Sequence, residues 1–153
     1  MLAREACRIE LRARTKSEAL TELAGALASS VPGLRADQLY ALLLERERLG
    51  TTAMGDGIAI PHARIESLDH LIAGFGLSRA GIDCESLDGK LTHLFFLLVA
   101  PGREGSAHLR LLAHLSRLLG EESFRERLAR IESTDELFRV LEEAESGKAN
   151  GHA

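Results

Sequence analysis

The run Leu94-Phe95-Phe96-Leu97-Leu98-Val99 carries no polar residue on either of its alternating faces. A strand with one face in water alternates apolar and polar side chains. A run apolar on both faces reads instead as a central strand with helices packed above and below it. Its extent is set at residues 91–99, and a second strand is read at 71–77, with the turn signal Leu87-Asp88-Gly89-Lys90 between them. Residues 7–13 alternate with a period of two and read as a half-buried strand. Ile58-Ala59-Ile60 reads as a short buried one.

The helices needed to cover such a sheet are also legible. Thr15-Lys16-Ser17-Glu18 has the form of a capping box, and Ala19, Leu20, Leu23, Ala24 and Leu27 follow at helical spacing, predicting a helix over 16–29. Val31-Pro32-Gly33 breaks it. A second helix is predicted over 36–49, with Leu39, Leu42 and Leu43 inward and Gly50 as a left-handed cap. After the loop Pro101-Gly102-Arg103-Glu104-Gly105, Ser106 is placed to cap a third helix ending near Leu119 and closed by Gly120. A fourth covers 122–130. Ser133-Thr134-Asp135-Glu136 forms a second capping box and opens a last helix to about Glu145. The expectation is an α/β fold, a mixed β-sheet sandwiched between helices, built as one domain over 1–145 with a disordered polar tail over 146–153.

Composition narrows the function. The chain has 153 residues, 45% of them hydrophobic and 27% charged, within the ordinary globular range. Its formal net charge is −4 with no basic stripe, which argues against a nucleic-acid partner. No apolar run reaches the length of a membrane span, so direct membrane insertion is not expected. The first residues lack the basic and apolar regions of a signal peptide. Cys7 and Cys84 form no close-spaced motif. A cytoplasmic protein with reduced thiols is the expectation.

The candidate chemistry centres on histidine. In Gly50-Thr51-Thr52-Ala53-Met54-Gly55-Asp56-Gly57-Ile58-Ala59-Ile60-Pro61-His62-Ala63-Arg64, Pro61 removes a backbone donor and is expected to end regular pairing. His62 is thereby placed at a strand edge, where it is either a turn histidine or a presented nucleophile or ligand. On the third helix, His108 heads the apolar stripe of Leu111, Leu112, Leu115 and Leu119. His114 shares the opposite, solvated face with Arg110 and Arg117. His70 lies in a polar turn and His93 starts a strand, and both read as structural. Arg46 belongs to the charged run Leu44-Glu45-Arg46-Glu47-Arg48. It is either part of a solvated helix face with local ion pairs, or an anion clamp whose planar fork matches phosphoryl oxygens.

Other chemistries find little support. No two histidines stand three or four residues apart, and HExxH and CxxC are absent, so no metal site is expected. Gly55-Asp56-Gly57 lacks the third glycine and following helix of a dinucleotide loop, and there is no Walker lysine pattern or Gly-x-Ser-x-Gly elbow. No cofactor is called for.

Taken together, Leu44-Glu45-Arg46-Glu47-Arg48-Leu49-Gly50-Thr51-Thr52 and Gly55-x-Gly57-Ile58-Ala59-Ile60-Pro61-His62 resemble one family. It is the IIA domain of the fructose/mannitol type in the bacterial phosphoenolpyruvate-dependent phosphotransferase system, with the nitrogen-regulatory branch the best fit. Phe95-x-Leu97-Leu98-Val99-x-Pro101, Ser106-Ala107-His108-Leu109 and Ser116-Arg117-Leu118-Leu119 extend the resemblance over nearly the whole chain. It implies that His62 is phosphorylated by a phosphohistidine of the small carrier protein HPr or its nitrogen-branch paralogue. His108 falls on the family's second active-site histidine and Arg46 on its active-site arginine. Ala63 stands where many members have glycine, a change affecting the turn rather than the chemistry. The amino terminus is shorter than in many members, so an edge strand or helix is expected to be missing or supplied differently. The resemblance leaves three roles: a regulatory IIA, a sugar-uptake IIA passing phosphate to a fructose or mannitol IIB, or an unphosphorylated protein-binding scaffold.

Overall fold

A computed structural model describes residues 2–102 and 105–150, with the side chains of 105–108 and 146–150 outside the description. Its elements run β1 (Leu2–Arg8), α1 (Lys16–Ser30), α2 (Ala36–Arg48), β2 (Ala53–Gly55), β3 (Ile58–Ala59), β4 (His62–Ile65), β5 (Ile72–Ile82), β6 (Thr92–Pro101), α3 (Gly105–Leu119), α4 (Glu122–Ala129) and α5 (Thr134–Asn150). The six strands form one mixed sheet ordered β1-β5-β6-β3-β2, with β4 also paired to β6. β1 runs parallel to β5, β5 antiparallel to β6, and β3 and β4 parallel to β6.

The apolar run explains the two layers. Phe95, Leu97 and Val99 face one side and pack with Leu20, Leu23 and Leu27 of α1 and Leu39 and Leu43 of α2. Leu94, Phe96 and Leu98 face the other and pack with Leu115 and Leu119 of α3, Phe124 and Leu128 of α4, and Leu137 and Val140 of α5. Period-two alternation thus supplies a separate core to each face of a single strand. On the α1 side, β5 carries Gly76, whose absent side chain leaves room for Leu11 and Leu23. An added Cβ there would lie 2.9 Å from each.

Both capping boxes form, in a shifted version. The Glu18 amide bonds Thr15 Oγ1 at 3.1 Å, and the Glu136 amide bonds Ser133 Oγ at 3.1 Å. The reciprocal carboxylates reach one residue further back, to the amides of Arg14 and Glu132. The amino-terminal strand corrects the expectation of a strand over 7–13. It lies at Leu2–Arg8, as an edge strand on β5. Beyond it the Leu11 amide still bonds the Leu77 carbonyl of β5 at 2.8 Å, and the amides of Arg12 and Ala13 then turn to the Glu22 carboxylate on α1, each at 3.0 Å. The last helix runs past its expected end near Glu145 to Asn150, so residues 146–150 of the expected tail are helical, while 151–153 lie outside the described residues.

The glycine-rich segment is more regular than its composition suggests. Asp56 and Gly57 adopt φ of 57° and 80°, and they join β2 to β3 through a two-residue hairpin with Gly55 opposite Ile58. Two positive φ angles in succession match the twist of flanking strands, which is why Asp-Gly suits this turn. Pro61 does not end the pairing, contrary to expectation. Ile58 and Ala59 pair with Leu94 and Phe95, and His62 and Ala63 resume with Leu98 and Val99 in the same register. The Pro61 carbonyl still accepts the Leu98 amide at 3.0 Å, so only the proline's missing donor interrupts the ladder.

Candidate functional site

β4 pairs with β6 and, among the described residues, has no further strand beside it, so His62 is the first residue of an edge strand. α2 packs across β4 on the α1 side of the sheet, and its last turn brings Arg46 to the same place. His62 and Arg46 are both half-buried. The Arg46 Nε–H donates to His62 Nε2 at 3.2 Å, and Arg46 Nη1 donates to the Gly50 carbonyl at 3.0 Å. On the other edge of the ring, His62 Nδ1 lies 2.9 Å from the Ile60 carbonyl oxygen.

These contacts fix the chemistry of the imidazole. A carbonyl oxygen only accepts, so Nδ1 carries the proton and donates to Ile60. Nε2 then holds the lone pair, in agreement with its receiving the Arg46 N–H. The arrangement places the unprotonated Nε2 of the ring beside a guanidinium. Among the described residues Arg46 makes no ion pair with a carboxylate. Arg46 is thus engaged by His62 and the Gly50 carbonyl rather than lying on a wholly solvated helix face.

Behind this pair lies a polar cluster that the sequence reading did not single out. Glu47 is buried, with its side chain 5% exposed. Its Oε1 accepts the Thr52 amide at 3.2 Å and Lys16 Nζ at 3.2 Å, and its Oε2 accepts the Thr52 hydroxyl. Lys16 Nζ also reaches Glu85 at 3.1 Å. Burial works against the Lys16 charge, but hydrogen bonds to Glu85 and Glu47 outweigh it and hold the ammonium pKa above its ordinary value. Thr51 Oγ1 donates to the Cys84 carbonyl at 2.7 Å, tying the same segment from its other side. A signal for Glu47 was present: it follows Leu39 and Leu43 at spacings of four, on the buried stripe of α2.

The remaining histidines divide. His108 lies in the first turn of α3, which starts four residues after β6 ends, but its side chain, like that of Ser106, lies outside the described residues. His114 corrects the expectation of a solvated face. It is half-buried, its Nε2 bonds Glu145 of α5 at 3.0 Å, and its Nδ1 accepts from Arg117 at 3.3 Å. His93 Nδ1 bonds the Ser78 carbonyl at 2.9 Å across β5 and β6, a structural role. His70 is exposed in its turn. An open groove lined by Asp56, Gly57, Gly89, Lys90, Leu91, His93 and Arg125 lies toward the opposite end of β6 and includes neither His62 nor Arg46. Among the described residues no three His, Cys, Asp or Glu side chains are grouped to hold a metal ion, and no helix is long and apolar enough to cross a membrane. Cys7 and Cys84 are free and buried, and burial pushes the Cys7 thiol up to about 11.

Comparison with known proteins points one way. The family model described as "Phosphoenolpyruvate-dependent sugar phosphotransferase system, EIIA 2" matches residues 1–144. A nitrogen regulatory protein of Bradyrhizobium diazoefficiens is 38% identical over 141 residues, covering 92% of each chain. The fructose-specific EIIABC component of Bacillus subtilis is 33% identical over 142 residues, covering 92% of this chain and 22% of that protein. Among solved structures, nitrogen regulatory protein IIA-Ntr of Neisseria meningitidis superposes with a TM-score of 0.86 at 27% identity, covering 92% of this chain and 95% of that one. The IIA mannitol structure from Escherichia coli gives 0.76 at 26% identity, covering 92% and 99%. A complex of Escherichia coli IIA mannitol with phosphorylated IIB mannitol gives 0.74 at 25%, covering 92% and 98%.

Proposed function

The chain belongs to the EIIA 2 family of the phosphoenolpyruvate-dependent sugar phosphotransferase system, and from that premise we propose that His62 is its phosphoryl-accepting residue. The donor is a phosphohistidine on an HPr-type carrier, and the setting is the cytoplasm. The observation that carries this reading is the pair of opposed hydrogen bonds on the His62 ring, which leaves Nε2 as the nucleophile under the Arg46 guanidinium.

The transfer follows from these contacts. As the donor approaches, the Arg46 Nε–H moves from Nε2 to a phosphoryl oxygen, while Nη1 stays on the Gly50 carbonyl. The Nε2 lone pair forms a new nitrogen–phosphorus bond. The donor's nitrogen–phosphorus bond breaks in line, and its electron pair returns to the donor imidazole. The retained Nδ1 proton, donated to the Ile60 carbonyl, stabilises the positive charge that builds on the ring. Arg46 neutralises the equatorial oxygens, with no covalent role of its own. His108 is assigned, through the family resemblance, as the second histidine supporting the phosphorylated state. Amides at the start of α3 add to the positive field.

We assign the carrier mainly a regulatory role, in which its phosphorylation state controls binding to other proteins. The support is that relatives named as nitrogen regulatory proteins match over most of both chains, 92% of each in one case and 88% of this chain with 87% of the relative in another. Uptake is the second reading, favoured by the likeness to the fructose-specific relative and to a IIA bound to a phosphorylated IIB. Incubation with labelled phosphoenolpyruvate, enzyme I and carrier tests the proposal. Wild type is expected to take up label, His62→Ala none, and His108→Ala to label slowly or lose label fast. Label retained by His62→Ala would overturn the assignment. Label passing onward to an added sugar-specific IIB, and then to sugar, would favour uptake.

A further inference from the structure

We propose that Glu47 is a positioning residue for phosphoryl transfer, one that sets both the Arg46 guanidinium and the His62 ring by fixing the segment 50–52. This rests on the reading of His62 as the phosphoryl acceptor.

A carboxylate in the last turn of a helix faces the negative end of the helix dipole, and burying it carries a further desolvation cost. α2 does both with Glu47. What is held in return is the connection between α2 and β2. Oε1 and Oε2 take the amide and the hydroxyl of Thr52, while Lys16 supplies the countercharge. Two hydrogen-bonded paths lead from that segment into the site. In one, the Thr52 carbonyl accepts the Ile60 amide at 3.1 Å, and the Ile60 carbonyl takes the His62 Nδ1 proton at 2.9 Å. In the other, the Gly50 amide bonds the Glu47 carbonyl at 3.1 Å, and the Gly50 carbonyl anchors Arg46 Nη1 at 3.0 Å. The Ile60 carbonyl therefore hangs on Thr52, which the Glu47 carboxylate holds, while the Gly50 carbonyl lies two residues before Thr52 and is tied to the Glu47 main chain, so the carboxylate acts on it through the segment 50–52. Arg46 and Glu47 are successive on one helix, about 100° apart around its axis, so one reaches the reacting nitrogen while the other sets its surroundings.

The experiment uses the full chain with phosphorylated HPr-type carrier as donor, and compares wild type, Glu47→Gln, Thr52→Val and Thr52→Ser. Glu47→Gln keeps the shape and an acceptor for the Thr52 amide but removes the charge. Thr52→Val keeps the Lys16–Glu47 pair but removes the hydroxyl, and Thr52→Ser restores it. The expected result is a kcat lowered about 10- to 100-fold in Glu47→Gln and Thr52→Val, with KM for the carrier held within about twofold and Thr52→Ser near wild type. The ring nitrogen shifts of His62 should also move, from the Nδ1–H tautomer toward a mixture, while backbone amide spectra elsewhere keep the wild-type pattern. Folded Glu47→Gln and Thr52→Val with wild-type kcat and wild-type His62 nitrogen shifts would overturn the proposal. Should Glu47→Gln not fold, Thr52→Val against Thr52→Ser decides. If wild type itself takes no label, the phosphoryl reading fails, and the nitrogen shifts still decide whether Glu47 sets the ring.

Discussion

His62 is held by hydrogen bonds of opposite sense at its two nitrogens, and that asymmetry carries most of the chemistry assigned to it. Arg46 matters here as a shape as well as a charge. Its Nε serves the ring and its Nη1 the Gly50 carbonyl, so the guanidinium plane is set before any phosphoryl group arrives. A lysine keeps the charge but cannot occupy both points with a rigid fork. Arg46→Lys is therefore expected to slow single-turnover labelling by phosphorylated carrier by about 100-fold, while leaving stability within about 0.5 kcal/mol. A wild-type rate in that variant would mean that a point charge suffices. His62 and Arg46 were singled out in the sequence because their types and neighbours fit a known pattern, and the fold brings the two together. Glu47 escaped it because a charged residue between two arginines resembles a solvated face, and only its fourfold spacing from Leu43 said otherwise. The Ile60 and Gly50 carbonyls were not legible at all, since a backbone acceptor has no side-chain signature.

At the scale of elements, helices were read more closely than strands. α1 and α5 begin at their capping boxes because a local side chain satisfies a local amide, which sequence records directly. β2 and β4 are too short for periodicity to reveal, and their places are set by pairing, β2 with β3 and β4 with β6. The Asp56-Gly57 turn between β2 and β3 is braced from outside its own hairpin. Asp88 Oδ2 accepts the Asp56 amide at 2.9 Å, while Oδ1 accepts the Lys90 amide at 3.0 Å and Ser86 Oγ at 2.9 Å. The backbone hydrogen bonds from Asp56 and Lys90, then that from Ser86, hold the Asp88 carboxyl down at about 2, below the ordinary 3.8. A carboxyl depressed on folding contributes stability above its ordinary pKa and loses it as pH falls through the folded value, because the unfolded chain then binds more protons. Wild type is expected to show a higher urea midpoint than Asp88→Asn at about pH 7, with the gap closing between about pH 4 and pH 2. A gap that stays constant over that range would mean that the ionised carboxylate is not what braces the turn.

At the scale of the molecule, one apolar strand divides two cores. The α1–α2 layer carries Arg46 and Glu47, and α3 starts beyond the end of the strand beside which His62 lies. Arg46 and His62 thus meet at one end of β6, where α3 also begins. That architecture was legible because β6 is apolar on both faces, whereas the strand order depended on long-range pairing that no local pattern encodes. The hydrogen bonds on the His62 ring predict a phosphoryl group carried at one nitrogen of one histidine. Uniformly 15N-labelled protein, phosphorylated through phosphoenolpyruvate, enzyme I and carrier, can be examined for coupling between phosphorus and ring nitrogen by NMR. Coupling to Nε2 of His62, with Nδ1 still protonated, is the expected result. Coupling to Nδ1, phosphate on a different histidine, or no phosphohistidine would contradict it.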